Sequence, residues 1–200
     1  MADSTRTARL YWDRFVGPDH KWRRDPVTGG ERTPPGEDLA ALRAGLGRPA
    51  MDVPKLWPYY TSAVNDDLAR RDQVSDEQQA EHAALTLFGL HQQSRNEPMH
   101  RQGVKLGQAL LALRRTEKFS DEALDRRVAT LAAATSVPAL LVHLRGLVTQ
   151  LRTVGQPLDY THLMSDIQQW HSVDRRSAVR RKWALGYQAW KPESTDKNGA

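Results

Sequence analysis

The stretch SVPALLVHLRGLVTQLRTVG, residues 136–155, reads as one complete α-helix with both ends marked. Leu140, Leu141, Leu144, Leu147, Val148 and Leu151 recur at the spacing that gathers apolar side chains on one face of a helix of about 3.6 residues per turn. Ser136 suits the N-cap, where its hydroxyl can accept from an otherwise unpaired backbone N–H. Pro138 falls in the first turn, where its missing N–H costs nothing, and Gly155 supplies the stop.

The same grammar extends outward in both directions. Toward the C-terminus, DYTHLMSDIQQW and DRRSAVRRKWALGYQAW continue the series. Toward the N-terminus, SDEALDRRVATLAAA starts at a Ser120 cap, and VKLGQALLALRR puts Leu106, Leu110 and Leu113 on one face. Ser75 and Gln78 form a capping-box pattern ahead of a helix that carries Ala80, Ala84, Leu87 and Leu90 to about residue 93. GEDLAALRAGLG gives a short helix, and a further one is expected to start near Pro58. A first helix is expected near residues 5–16, followed by a proline- and glycine-rich stretch over 17–36 in which regular structure is not expected. No segment alternates with β-branched enrichment. The fold expected is therefore all-α, a helical bundle of about eight or nine helices. A division into two small sub-bundles, breaking near 94–103 or 116–120, is compatible with the pattern. The organisation is an N-terminal helix and long flexible loop (1–36), a helical domain (37–190) and a polar tail (191–200) expected to be disordered.

The chain has no cysteine, which excludes disulfides and cysteine-based metal sites. It shows neither a signal-peptide pattern nor an apolar run of spanning length, so a soluble cytoplasmic protein is expected. Charge is unevenly spread. Residues 1–100 carry 13 Lys+Arg against 15 Asp+Glu, and residues 101–200 carry 16 against 9. Arginine dominates the basic set, which suits an anionic partner, because its planar fork matches phosphate.

The stretch LHQQSRNEPMHRQG, residues 90–103, raises the question of a metal or catalytic site. His82, His91 and His100 are spaced nine apart, which puts His82 and His91 on opposite helix faces. The i, i+4 pairing of a helical zinc site is missing, and Pro98 interrupts the helix between His91 and His100. No metal ligand set, nucleophile motif or cofactor loop is found. Instead, His91, Gln92 and Gln93 are expected to fix a connection by hydrogen bonds, placing Arg101 and Lys105 on a basic face.

The arginines carry more information. In DRRSAVRRKWALGYQAW, Val179, Trp183, Tyr187 and Trp190 form an apolar stripe, flanked by Arg176 and Arg180, with Arg181 and Lys182 beyond. Such a strip can neutralise several phosphates; it can equally be a solvated face above a buried aromatic stripe. Arg145 lies within the apolar run LVHLRGLV. A charge enclosed by apolar neighbours needs a partner, so an internal carboxylate or an external phosphate is expected there.

LAALRAGLG, LWPYY, LFGLHQQS…MHRQGVKLGQAL, LDRRVATLAAA, LLVHLRGLVTQLR, LDYTHLMSDIQQW and VRRKWALGY occur in this order. Together they resemble the small-subunit family of the type I-E CRISPR surveillance complex Cascade, the CasB family. The resemblance implies a non-enzymatic helical subunit without cofactors, present as a pair in the complex. It would contact other Cascade subunits and hold the target and displaced strands of the crRNA-guided R-loop. The family's basic positions fall on Arg43, Arg101, Arg126, Arg127 and Arg145; Lys105 and the basic helix with Arg176, Arg180 and Arg181 complete the candidate nucleic-acid contacts. The alternative is a structural adaptor whose arginines pair with carboxylates on partner subunits. Residues 1–36 carry little of the family pattern.

Overall fold

The computed structural model describes residues 9–188. The expected tail, Trp190 and the start of the expected first helix lie outside them. The described residues form α1 (Gly36–Ala44), α2 (Asp66–Ala69), α3 (Asp76–Gln92), α4 (Leu106–Arg114), α5 (Asp121–Ala133), α6 (Val137–Val154), α7 (Tyr160–Trp170) and α8 (Val173–Tyr187). Two short 3-10 helices, Trp12–Arg14 and Pro54–Tyr59, and a two-stranded antiparallel hairpin, β1 (Arg23–Arg24) and β2 (Glu31–Arg32), complete the set. Among the described residues no helix is long and apolar enough to cross a membrane.

The expected caps are in place. Ser75 and Gln78 close both bonds of the capping box at α3. The hydroxyls of Ser120 and Ser136 accept from Ala123 and Ala139 at the starts of α5 and α6. Gly155 ends α6 at φ 71°, a left-handed conformation that favours glycine.

α3 is the hub. It packs against α1, α6 and α7, while α4 packs against α8 and α6. The buried side chains form one connected core running from Tyr11 to Tyr187. α4 and α8 cross almost backbone to backbone: a Cβ at Gly107 would meet Gly186 Cα at 3.0 Å and Tyr187 N at 3.1 Å. Beside that crossing, Trp170 and Trp183 stack with ring centroids 5.0 Å apart.

Three expectations need correction. In place of a first helix, the described part of 5–16 makes a single 3-10 turn, with Tyr11, Trp12, Phe15 and Val16 all driven into the core. The turn does not continue as a helix because the Phe15 carbonyl accepts from Arg23 N–H at 2.6 Å and Val16 pairs with Trp22 in an antiparallel bridge. The stretch 17–36 is not without regular structure: its hairpin is closed by Asp25, whose Oδ1 accepts from the N–H groups of Val27 and Thr28, both at 2.9 Å. No helix starts at Pro58. Pro58 lies inside the 3-10 helix Pro54–Tyr59, and after it Glu81 of α3 takes the backbone donors that a helix would use. Its carboxylate accepts from Thr61 N at 2.8 Å and Ser62 N at 2.9 Å. α2 then starts only at its Asn65 cap.

Candidate nucleic-acid interface

The stretch 90–103 is a structural clamp. Gln92 donates to the carbonyls of Arg95 and Glu97 and accepts from Met99 N at 2.8 Å, which holds the loop after α3. The side-chain oxygen of Gln93 accepts from Arg152 at 2.8 Å. The two histidines grip Tyr160, the first residue of α7. His91 Nδ1 lies 2.9 Å from its hydroxyl, and His100 Nδ1 accepts from its N–H at 3.1 Å. That acceptor role leaves the His100 proton on Nε2, 3.6 Å from Asp13 Oδ1. Burial pushes the His91 pKa down to about 3, and the Arg95 and Arg152 charges add to the shift. Burial likewise takes His100 down to about 4. His82 is the third of the series, held between the Tyr60 hydroxyl at 2.7 Å and the carbonyls of Gly45 and Arg48. All three imidazoles are therefore engaged by the protein itself.

The candidate cations divide into two groups. Arg176 and Arg180 are turned inward. Arg176 donates twice to the Trp170 carbonyl, at 3.1 and 3.2 Å, with its guanidinium 5.8 Å from the Trp170 ring centroid. Arg180 donates to the Ala134 carbonyl at 3.0 Å and lies 5.3 Å from the same ring. Both are half-buried and lock α8 onto α7 through cation–π contacts. Arg114, by comparison, is held by Asp121 and Asp125.

The second group faces outward. Arg101, Lys105, Arg126, Arg127, Arg145 and Arg181 are exposed. None of them makes an ion pair among the described residues. For Arg145 this corrects the expected apolar enclosure: α6 turns Leu144, Leu147 and Val148 inward and leaves Arg145 in solvent. Arg126 and Arg127 of α5 form one wall of a groove of about 240 Å³, with Thr130 beside them and Val142, His143, Gly146 and Leu147 of α6 opposite. Arg145 stands one residue from that groove on α6. Lys105 and Lys182 form a separate pair around the start of α4 and the middle of α8. Both lie close enough to Asp166 to counter the burial that raises its carboxyl pKa, as do the Trp183 N–H and His162. Arg43, half-buried on α1, is not part of the groove.

Sequence reasoning missed the buried carboxylates Glu81 and Asp166. Asp166 accepts from Trp183 Nε1 at 2.7 Å and so fixes the indole that α8 presents to α7. A sequence shows the acid but not the donor that reaches it from another helix.

The sequence model of the CRISPR-associated protein Cse2 family matches residues 38–187, a span that contains all seven ordered motifs. The chain belongs to this family. Solved structures agree with the Cse2 assignment. CasB from Thermobifida fusca is 31% identical, with a TM-score of 0.60 over 77% of this chain and 85% of that one. A Cse2-family CRISPR-associated protein from Thermus thermophilus is 24% identical, with a TM-score of 0.57 over 77% and 86%. A chain of a structure described as a CRISPR RNA-guided surveillance complex is 21% identical, with a TM-score of 0.56 over 76% and 81%. No curated protein matches the chain. The segment before residue 38 lies outside the Cse2 match, yet its Trp12 is fully buried and donates to Thr161 of α7.

Proposed function

We propose that this Cse2 protein is a non-catalytic small subunit of a crRNA-guided type I-E complex. It works beside other Cascade subunits and a second copy of itself, and it steadies the target and displaced DNA strands of the R-loop by contacts to their backbones. The observation that carries this reading is the groove between α5 and α6. There Arg126 and Arg127 stand exposed with no ion pair among the described residues, next to the equally exposed Arg145. Unpaired guanidiniums along a groove suit phosphates, and phosphate contacts carry no base preference. That indifference fits a complex in which guide–target pairing reads the sequence. By analogy with other guided effectors, strand exchange is nearly balanced in energy, so backbone contacts can tip it.

Arg126→Glu with Arg127→Glu, introduced together into the assembled complex, tests the reading. Target binding is expected to weaken by about ten- to a hundredfold, and the log–log salt slope to flatten by about 1.4, the value for two phosphate contacts to a single strand. Unchanged affinity and slope, with no crosslink from a labelled displaced strand to this subunit, would make the protein an adaptor whose arginines meet partner carboxylates.

A further inference from the structure

Trp57 differs from the other tryptophans among the described residues. Trp12, Trp22, Trp170 and Trp183 are at most 7% exposed, whereas Trp57 is 58% exposed. Its ring therefore contributes little to the core, yet it is held in place. The indole N–H donates to the Met51 carbonyl at 2.8 Å. Met51 itself adopts φ 71°, an unfavourable backbone for a residue with a side chain, and the Tyr60 hydroxyl accepts from its N–H at 3.3 Å. Pro54 and Pro58 stiffen the 3-10 helix on either side of the ring, and the fully buried Leu56 anchors it.

We propose that Trp57 is a stacking platform for an unpaired nucleobase of a single strand, with Arg48 and Lys55 on the flanking phosphates. This rests on the reading that the chain grips nucleic acid, and it adds a contact to bases. Indole faces stack on any base, so the contact is as indifferent to sequence as the phosphate contacts are. A ring fixed before binding loses little rotamer freedom on contact. Arg48 and Lys55 are exposed and make no ion pair among the described residues. The acid of the loop, Asp52, lies near Tyr60 and His82, on whose protonation its charge acts. A protein anchor would sit at the centre of an apolar patch ringed by polar residues. Here the exposed ring is tied by Met51 to the loop that carries the exposed Arg48, and it shares its 3-10 helix with the exposed Lys55, which favours a base with its phosphates over a protein anchor.

Full-length protein titrated with single-stranded oligo-thymidylate tests this, read by anisotropy of the labelled strand and by tryptophan emission. Trp57→Ala is expected to weaken binding about tenfold, and Trp57→Phe to keep most of the affinity. Quenching of the emission on binding, present in the unaltered protein, should be largely lost in Trp57→Phe. Unchanged affinity in Trp57→Ala, or undiminished quenching in Trp57→Phe, overturns the proposal. If Arg126→Glu with Arg127→Glu weakens binding while Trp57→Ala does not, only the stacking inference fails. If neither variant weakens it, or the unaltered protein does not bind, the reading it rests on fails as well. Normal strand binding by Trp57→Ala together with lost incorporation into the complex would instead make the ring a protein anchor.

Discussion

Gly107→Ala is expected to destabilise the protein by about 3 kcal/mol, although alanine is the better helix former. At Gly107 the new methyl would be driven into the Trp183 carbonyl oxygen and would also meet Gly186 Cα and Tyr187 N. All three obstacles are backbone atoms, so no side-chain rotation relieves the clash. α4 and α8 would have to separate. That would loosen the contacts of Leu106, Leu110, Trp183 and Tyr187, all of which are buried. Gly146→Ala gives the opposite sign. Gly146 lies inside α6, and nothing stands within 4 Å of a Cβ placed there. The methyl would meet no obstacle and would remove the glycine penalty, so a gain of about 0.5–1 kcal/mol is expected. Urea unfolding of the two variants beside the unaltered protein checks the pair. A Gly107→Ala protein within about 1 kcal/mol of the original would show that the two helices part easily.

The contrast between these glycines shows where a sequence stops being informative. Both sit at interior positions of helices that are legible from apolar spacing and caps, and the sequence does not distinguish them. Which one is pressed against a neighbour depends on a crossing between residues about eighty apart. The same limit explains the segment 60–65. Its backbone donors turn to Glu81, and nothing local marks that acid as buried. The mirror case is α3, where Gln78, Glu81, His82, His91 and Gln92 are all buried polar groups. Their partners come from the Ser75 cap, the Gly45–Arg48 loop, the Tyr60–Ser62 segment, the loop after α3 and Tyr160 of α7, so an apparently amphipathic helix became the enclosed hub of the fold. The face of Arg145, in contrast, was legible. Val142, Arg145, Gly146 and Thr149 stand at i, i+3, i+4 and i+7, the outward stripe that complements the leucines. Reading the run as apolar overlooked its second face.

For the candidate site, the sequence supplied the residue types and the structure supplied their availability. Arg176 and Arg180 have the same spacing and composition as a phosphate strip. Only the placement of Trp170 and of the Ala134 carbonyl shows that their guanidiniums are already engaged. Arg126 and Arg127 look no more basic in sequence, yet α5 leaves both in solvent beside a groove. A free guanidinium is a property of its neighbours, and these lie on other helices.

The clamp on Tyr160 makes the fold acid-sensitive. Lowering the pH from 7 to 4.5 is expected to remove about 5 kcal/mol of stability through His91 and His100 alone. Their folded-state pKa values, about 3 and about 4, lie below the ordinary value of 6.5. In the unfolded chain both imidazoles take up protons as the pH falls through 6.5, whereas in the folded protein they resist. Stability is therefore full above 6.5 and declines until the pH reaches the folded values. The physical obstacle differs at the two sites. His91 would carry its charge in a fully buried site near two guanidiniums. His100 would have to present a proton from Nδ1 to the Tyr160 N–H, which now donates to it. His82, also held below its ordinary value by burial, acts in the same direction. Asp13 and Asp166, whose pKa values burial raises, act in the opposite direction by binding protons in the folded state. The two clamp histidines together give a slope of between about 2 and 3 kcal/mol per pH unit near pH 5, large against a typical domain stability of about 5–15 kcal/mol. Urea midpoints measured between pH 7 and 4.5 read that slope, and His100→Gln should remove about half of it whatever its own effect on stability. A stability that stays level across this range would mean that the clamp opens to protons without loosening α7.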